Sequence, residues 1–230
     1  MRRETRAPSS GNGSELTPRD VSERSIRDSY DSAAAAYAEH LADELQRKPL
    51  DRHLLNRFAE EVRGRGPVAD IGCGPGHVAR YLSDEGVTIF GVDISEGMVG
   101  VAKRLNPQLE FRVDDMRRLD MSDASLAGAV LFYSIVHFEP IELRPIFAET
   151  RRVMAPDGVA LVAFHVGEQV VHVDDLFGAP VSLDFRFHRP STVIEALGSA
   201  RFQVTEHIER EPYEGVEYPS RRCYVLARAV

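Results

Sequence analysis

The 230-residue sequence is poor in several residue types, and each shortage excludes a class of protein. It has no tryptophan and only two cysteines, Cys73 and Cys223. Two cysteines are too few for a disulfide framework, so we expect a reducing, cytoplasmic environment. The longest apolar run, residues 126–136, has 11 positions and includes Ser134, whereas a membrane-spanning helix needs about 20. The arginines near the N-terminus precede no apolar stretch, so we expect neither a membrane span nor a signal peptide.

Positive charge is also in short supply. Acidic residues outnumber basic ones by 36 to 28, which leaves a formal net charge of −8. This balance argues against a protein whose main task is to bind the phosphate backbone of nucleic acid. With 43% hydrophobic and 28% charged residues, the composition is that of a globular protein with a sizeable core. We therefore expect neither nucleic acid nor a membrane as a partner, and the composition leaves the oligomeric state open.

Composition and periodicity divide the chain into a short tail and one domain. Residues 1–19 are rich in Ser, Gly, Pro and charged residues, which predicts a disordered tail. Residues 20–63 carry two helical patterns, the second with an apolar residue at every fourth position from 50 to 62. We interpret these as the cap helices of a single domain that covers residues 20–230.

Short apolar runs then alternate with helical segments, which is the pattern of a parallel sheet covered on both faces. Two strand-like runs near the C-terminus, joined by a polar loop, predict an antiparallel pair at the sheet edge. The predicted fold is therefore α/β: a doubly wound, Rossmann-like, seven-stranded and mostly parallel sheet with an antiparallel C-terminal strand pair. Residues 167–189 show no clear period, and we interpret them as an irregular substrate loop. The predicted strands are Val68–Ile71, Thr88–Val92, Leu109–Val113, Ala127–Tyr133, Val159–Phe164, Phe202–Ile208 and Arg222–Ala229.

The most informative stretch is a glycine-rich turn between the first predicted strand and the helix after it. Residues 68–76 read VADIGCGPG, with glycines at 72, 74 and 76. Glycines let the backbone turn tightly and let a ligand approach it, at the place where doubly wound sheets bind nucleotide-like ligands. The G-x-G-x-G spacing differs from the G-x-G-x-x-G of dinucleotide enzymes, which disfavours a dinucleotide oxidoreductase. Asp93, 17 residues past the last glycine, ends the second predicted strand, where a carboxylate can bind a ribose diol.

These residues resemble the class I S-adenosylmethionine-dependent methyltransferases, most closely the small-molecule branch that includes the ubiquinone-type enzymes. The resemblance rests on D-I-G-C-G-P-G from residue 70, G-V-D-I-S from residue 91 and D-D-M from residue 114, and it spans about residues 28–165. It implies S-adenosyl-L-methionine as the cofactor. The cofactor-binding residues that it implies are Tyr30, Tyr37, Asp70, Gly72, Cys73, Gly74, Gly76, Asp93, Ile94, Met98, Asp114, Asp115, Met116 and Tyr133.

The resemblance also implies a role for individual residues. Asp70 and the backbone of residues 72–74 would face the amino-acid end of the cofactor, and Asp93 would bind the ribose hydroxyls. Asp115 would accept a hydrogen bond from the adenine amino group. The family has Gly where this chain has Asp114, so which of these two carboxylates faces the adenine stays open.

Two tyrosines in the N-terminal helices extend the resemblance. Tyr30-Asp31 and Tyr37 match the pattern with which this branch covers its cofactor. Plain helix packing is the alternative interpretation for both rings.

Two histidines at the ends of predicted strands are the candidates for a catalytic base. His137 follows the fourth strand and His165 ends the fifth, and histidine titrates near neutral pH. Methyl transfer needs a base only if the nucleophile must lose a proton, and a structural histidine or a pocket wall is the alternative for each. The Asn/Asp-Pro-Pro-Tyr motif of DNA and protein amide methylases is absent after the fourth strand. No histidine or carboxylate set has the spacing of a standard metal site, so we expect no metal.

Four residues in the C-terminal quarter of the chain are the predicted substrate-binding residues. Arg186 lies in an alternating aromatic and charged stretch, and Tyr218, Arg221 and Arg222 lie before the last strand or at its start. Arginine recognises carboxylates and phosphates, and rings sandwich planar groups, so we expect a small, partly anionic or aromatic acceptor. The alternative is that the arginines are solvated and pair with neighbouring glutamates.

The function that these features favour is S-adenosylmethionine-dependent transfer of a methyl group to O or N of a small molecule, with secondary metabolism as one hypothetical setting. One alternative is an RNA or protein methyltransferase, which the net charge and the missing amide motif disfavour. Another is a non-catalytic cofactor-binding subunit, in which loss of Asp70 or Asp93 would be expected.

Overall fold

The computed structural model describes residues 18–230, with side chains from residue 25 onward. The tail predicted for residues 1–19 lies outside the described residues, apart from its last two positions, which begin the first helix. Helix α1 spans Pro18–Leu41, a short 3-10 helix spans Glu44–Arg47, and α2 spans Pro49–Val62. Proline suits the first position of α2 because it has no N–H group to leave unpaired there.

Five neighbouring parallel strands form the larger part of the main sheet. They are β1 (Val68–Ile71), β2 (Ile89–Asp93), β3 (Glu110–Val113), β4 (Leu126–Phe132) and β5 (Met154–His165), with helices α3 (His77–Asp84), α4 (Glu96–Leu105) and α5 (Pro140–Val153) between them. β1 pairs in parallel with β2 on one side and with β4 on the other. The strand order therefore reverses at β1, and the carboxyl ends of β1 and β4 flank the crevice where such sheets bind ligands.

Residues 170–186 form a hairpin outside the main sheet, which corrects the prediction of an irregular loop at residues 167–189. β6 (Val170–Leu176) and β7 (Ala179–Arg186) pair antiparallel across the two-residue turn Phe177-Gly178. Both turn residues have positive φ, 56° and 86°, as a type I′ hairpin turn requires. Charged residues within β6 interrupt the alternation of apolar and polar residues that would predict a strand. One face of the hairpin packs on the protein, against α1.

Two antiparallel strands complete the main sheet after helix α6 (Pro190–Ser199). They are β8 (Phe202–Arg210) and β9 (Arg222–Ala229), and β9 pairs antiparallel with both β5 and β8. The order across the sheet is β3-β2-β1-β4-β5-β9-β8. This arrangement confirms the predicted seven-stranded α/β fold with its antiparallel C-terminal pair.

Helices cover both faces of this sheet. Phe147 of α5 and Leu197 of α6 belong to the buried cluster on one face, and Phe58 of α2 and Leu82 of α3 belong to the cluster on the other. All four side chains are fully buried, as expected for helices that place one apolar stripe on a sheet. No helix in the described range, 18–230, is long and apolar enough to cross a membrane.

Candidate functional site

The glycine-rich turn joins β1 to α3, and its three glycines serve different purposes. All three have left-handed backbone angles, with φ of 76° at Gly72, 51° at Gly74 and 80° at Gly76. A Cβ at Gly72 would lie 2.3 Å from Ser134 Cβ, and one at Gly76 would lie 2.6 Å from Phe111 Cζ. A Cβ at Gly74 would meet no atom closer than 3.8 Å. Gly72 and Gly76 therefore allow tight packing of the turn, while Gly74 leaves its backbone open to a ligand.

Asp93, at the end of β2, is held by the backbone around it. Its Oδ2 accepts a hydrogen bond from Gly74 N at 2.8 Å, and its Oδ1 accepts one from Ser95 N at 3.0 Å. Burial raises the pKa of the Asp93 carboxyl, although these two amides oppose the rise. Each carboxylate oxygen has two lone pairs, so both oxygens retain acceptor capacity for a vicinal diol.

Helix α1 is attached to this site through Asp31. Its Oδ1 accepts hydrogen bonds from Ser95 Oγ at 2.5 Å and from Gly97 N at 2.7 Å, at the start of α4. Gly97 permits the approach, since a Cβ there would lie 2.8 Å from Asp31 Cα. A carboxylate is also favourable at a helix N-terminus. The attachment brings Tyr30 and Tyr37 of α1 to the edge of the crevice.

His137 lies in a chain of hydrogen bonds that assigns its proton. Its Nδ1 is 2.8 Å from the Asp184 carbonyl oxygen, and its Nε2 is 2.7 Å from the Tyr30 hydroxyl. A carbonyl only accepts, so Nδ1 carries the hydrogen and Nε2 accepts from Tyr30 in the neutral ring. Burial lowers the pKa of His137 to about 4. The neutral imidazole thus links α1 to β7 and reaches the crevice beside Tyr30.

One cleft collects most of the residues that the family resemblance implies for cofactor binding. It encloses about 910 Å³, its mouth included, between α1 and the carboxyl ends of β1, β2 and β4. Ser134 Oγ in its lining is buried and has no hydrogen-bond partner among residues 18–230. This hydroxyl, the acceptor oxygens of Asp93 and the open backbone at Gly74 fit a cofactor with a ribose and a polar amino-acid end. The implied residues that line the cleft are Tyr30, Tyr37, Gly72, Cys73, Gly74, Asp93, Ile94, Met98, Asp114, Asp115, Met116 and Tyr133.

Asp70 and Gly76, in contrast, lie behind the turn and outside the cleft lining. Gly76 faces Phe111. Asp70 is 1% exposed, and its Oδ2 has no hydrogen-bond partner in the described part of the chain. Burial raises the pKa of Asp70 to about 7, against the opposing effects of His77 and the Ala79 amide. A direct contact between Asp70 and the cofactor stays a prediction.

Both carboxylates of the 114–115 pair line the cleft, and each already has partners. Asp114 accepts hydrogen bonds from the Asp115 amide at 2.8 Å and from the Asp120 amide at 2.9 Å. Asp115 accepts from the Arg117 amide at 3.0 Å and from Arg117 Nε at 2.9 Å. The choice between them as the adenine acceptor therefore stays open.

A second cavity adjoins the cleft. It encloses about 1280 Å³, its mouth included, and Tyr37, His77, Phe132 and Tyr133 line both spaces. Its other walls come mainly from the hairpin β6–β7, from residues 40–48 at the end of α1 and after it, and from the loop between β8 and β9. Most of the lining side chains of the hairpin and the loop are apolar or aromatic. A molecule in this cavity would therefore lie next to a ligand in the cleft.

His165, Tyr218 and Arg222 line this second cavity, not the cleft. His165 Nδ1 lies 2.7 Å from Ser220 Oγ, and the ring stacks on Phe187 with centroids 5.0 Å apart. Burial, followed by the charge of Arg222, lowers the pKa of His165 to about 3. These contacts place His165 in the wall of the second cavity, and its role as a base stays a prediction.

The structure does not bring Arg186 or Arg221 into either space. Arg186 Nη2 pairs with Glu139 Oε1 at 2.7 Å. Arg221 is half exposed and pairs with Glu209 at 2.8 Å and Glu211 at 3.1 Å. Because both arginines find carboxylates close by on the surface, the glutamate-pairing interpretation fits them and the substrate-binding one does not.

Three functional features are missing from the sequence-based prediction. Ser134 and His77 line the cleft, and the signal for each is its place: Ser134 follows Tyr133, the last residue of the predicted fourth strand, and His77 follows the last glycine of the turn. Asp184 orients His137 through its carbonyl group. A backbone acceptor leaves no trace in residue identity, so no sequence signal could have found it.

Comparison with known proteins agrees with this geometry. Residues 68–158 match the model of a family described as a methyltransferase domain. A demethylmenaquinone methyltransferase of Beutenbergia cavernae is 30% identical over 137 residues, which cover 58% of this chain and 55% of that protein. The dTDP-3-amino-3,6-dideoxy-alpha-D-glucopyranose N,N-dimethyltransferase of Streptomyces fradiae is 32% identical over 110 residues, 46% of this chain and 43% of that protein. The chain thus spans about half the length of the curated relatives it matches.

Solved structures share the fold. Magnesium protoporphyrin IX methyltransferase of Synechocystis PCC 6803, solved with bound SAM, has a TM-score of 0.70 over 95% of this chain and 100% of that chain, at 15% identity. At that identity the likeness shows the fold alone. Residues 68–158 are a methyltransferase domain of the class I S-adenosylmethionine-dependent type, in the branch that includes the ubiquinone-type enzymes, and S-adenosylmethionine is the cofactor of this class. The family resemblance found in the sequence is confirmed.

Proposed function

We propose that this chain, built on a class I methyltransferase domain, transfers the methyl group of S-adenosylmethionine to O or N of a small molecule held in the second cavity. The observation that carries the proposal is the wall shared by the two spaces, which Tyr37, Phe132 and Tyr133 help to form. A direct displacement needs the reacting atoms about 3–3.5 Å apart and aligned, which two adjoining spaces permit. The matched relatives are named for demethylmenaquinone and for a dTDP-amino sugar, which supports a small-molecule acceptor.

The residues of the cleft would hold the cofactor by contacts of different kinds. Asp93 would accept from the ribose hydroxyls, and the backbone at Gly74 and the hydroxyl of Ser134 would face the amino-acid end. Ile94 and Met98 would pack on the adenine. When bound, S-adenosylmethionine supplies an electrophilic methyl group on a sulfonium. Helix α1, attached through Asp31, would exclude water from it.

Tyr30 and His137 would take the proton that the nucleophile loses. The reacting O–H or N–H of the acceptor would reach from the second cavity into the cleft, which Tyr30 and His137 line. There it would give its proton to the Tyr30 oxygen while the Tyr30 proton passes to His137 Nε2, over the observed 2.7 Å hydrogen bond. The resulting imidazolium would keep its Nδ1–H bond to the Asp184 carbonyl. A weakly basic histidine suffices, because methylation makes the acceptor cationic and its proton far more acidic.

Transfer of a labelled methyl group tests this function. The protein is incubated with methyl-labelled S-adenosylmethionine and a whole-cell extract, and the extract alone serves as the control. Fractionation and mass spectrometry should then find the added label in a small molecule. Tyr30→Phe should slow product formation by about 100-fold or more, whereas Arg221→Ala, outside both spaces, should leave it unchanged. Label confined to the RNA or the protein fraction would instead support an RNA or a protein methyltransferase, and absence of label from every fraction would support a non-catalytic cofactor-binding subunit.

The remaining expectations belong to the same proposal. Residues 20–230 would act as one domain, in which the cap helices of residues 20–63 and the hairpin β6–β7 close over the two spaces. Both cysteines of the chain are buried free thiols, which supports a cytoplasmic location.

A further inference from the structure

A network of six charged side chains lies beside the second cavity. Its members are shielded from solvent, the most exposed of them at 19%. They are three cations and three carboxylates: Lys48, Arg210, Arg222, Glu44, Asp51 and Glu217. Four of the six line the cavity itself, the exceptions being Asp51 and Arg210.

Glu217 is the centre of this network. Its Oε1 lies 3.2 Å from Lys48 Nζ and 3.4 Å from Arg222 Nε, and its Oε2 lies 2.6 Å from Arg210 Nη1. Lys48 also pairs with Glu44. Burial alone would raise the pKa values of Glu44 and Glu217, yet His77 and Lys48 lower that of Glu44 to about 2, and Arg210 with Lys48 lowers that of Glu217 to about 2. The three cations and three carboxylates of the network therefore balance without any ligand, and the His77 ring, 3.3 Å from Glu44, adds no charge when it is neutral.

Aromatic rings form much of the rest of the cavity. His165 stacks on Phe187, and Tyr218 stands edge-on to Phe187 with centroids 6.1 Å apart. Phe177 and Tyr218 line the cavity although they are 42% and 53% exposed, so they stand at its mouth. A planar ring entering there would extend the stacking that these side chains already make.

Resting on the proposed function, we infer that the second cavity selects planar, ring-bearing acceptors without net charge, and that Lys48 determines this selectivity. An anionic or cationic acceptor would bring an uncompensated charge into a desolvated space whose own charges already cancel. Lys48 Nζ lies 5.6 Å from the centroid of the Tyr133 ring, which borders the cleft, so the network reaches the place of transfer. Loss of Lys48 would leave the cavity with one excess negative charge and favour a cation. Of the two acceptor types expected from the sequence, the aromatic one therefore fits and the anionic one does not.

A matched series of naphthalene probes tests this inference. The probes are 2-naphthol, 2-naphthoate and 2-naphthylmethylammonium, each titrated at neutral pH in the presence of S-adenosylhomocysteine. The chain has no tryptophan, so naphthalene fluorescence reports binding with little background. Wild-type protein should bind 2-naphthol at least tenfold more tightly than either ion.

Two variants extend the test. Lys48→Met should make the ammonium probe the tightest ligand, and Lys48→Gln serves if that variant does not fold. Lys103→Met is the matched control, since Lys103 is the other lysine of the chain and is exposed on α4; it should keep the wild-type order. Preference of the wild type for either ion, or no binding of 2-naphthol, would overturn the inference. Calorimetry with S-adenosylhomocysteine distinguishes a failure of this inference from a failure of the proposed function, because absence of S-adenosylhomocysteine binding would refute the proposed function itself.

Discussion

The stability of the Asp70→Asn variant relative to the wild type should increase as the pH rises from acidic to neutral. The carboxyl is 1% exposed in β1, and burial raises its pKa to about 7 from an ordinary 3.8. Between these two pH values the folded chain holds a proton that the unfolded chain has released. The contribution of Asp70 to stability is therefore highest below pH 3.8 and is lost as the pH rises towards 7.

The size of the effect follows from the pH interval. Each pH unit inside it lowers the free energy of unfolding by about 1.4 kcal/mol, so raising the pH from about 5 to about 8 should lower it by about 3 kcal/mol. The asparagine side chain of the variant does not titrate, and its amide oxygen can still accept from the Ala79 amide. Across that range the free energy of unfolding of the variant, relative to that of the wild type, should thus rise by about 3 kcal/mol.

Urea unfolding followed by circular dichroism at a series of pH values measures this difference. Subtracting the wild-type curve cancels the other titrating groups, and Asp84→Asn, at the exposed end of α3, controls for the loss of one carboxylate. A difference between Asp70→Asn and the wild type that stays constant with pH would show that Asp70 is ionised in the folded chain, and would refute the reasoning.

Three further predictions concern the turn and its attachments. In Asp93→Asn, an NH₂ group would face one of the two backbone amides that now donate to the carboxylate. This should weaken S-adenosylhomocysteine binding by about 10- to 100-fold in calorimetry, whereas equal affinity would show that Asp93 does not bind the cofactor. Gly76→Ala should cost about 1–3 kcal/mol more in unfolding free energy than Gly64→Ala, because both positions have positive φ but only the former meets Phe111, and equal losses would count against that contact. Asp31→Ala removes two hydrogen bonds to the start of α4, so amide exchange in α1 should quicken at least about tenfold; unchanged exchange would mean that α1 is held by other contacts.

Local patterns were enough to predict the centre of the fold. The turn between β1 and α3 is readable because three glycines mark positions that only they occupy without strain, and Val68–Ile71 before it is buried on both faces. Asp93 follows from its place at the end of β2. The bounds of β1 and β9 agree with the predicted ones to the residue.

What the sequence did not reveal depends on contacts between distant residues. Tyr30 and His137 are 107 positions apart. Each is predicted near the site, but no local pattern in either segment indicates that the two side chains bond to each other. The hairpin β6–β7 is hard to predict because the adjacent Asp174 and Asp175, at a register shift, interrupt the alternation of β6. Residue type and place in the chain predict that Arg186 and Arg221 lie near the acceptor, whereas their partners, Glu139 and Glu209, decide where they point.

Calorimetric titration of the wild-type protein with S-adenosylhomocysteine tests the central claim most directly, namely that the cleft between α1 and the carboxyl ends of β1, β2 and β4 binds the methyltransferase cofactor. We predict saturable binding of one molecule per chain, weakened by Asp93→Asn and unchanged by Arg221→Ala. Absence of saturable binding, or affinity that Asp93→Asn leaves intact, would contradict it.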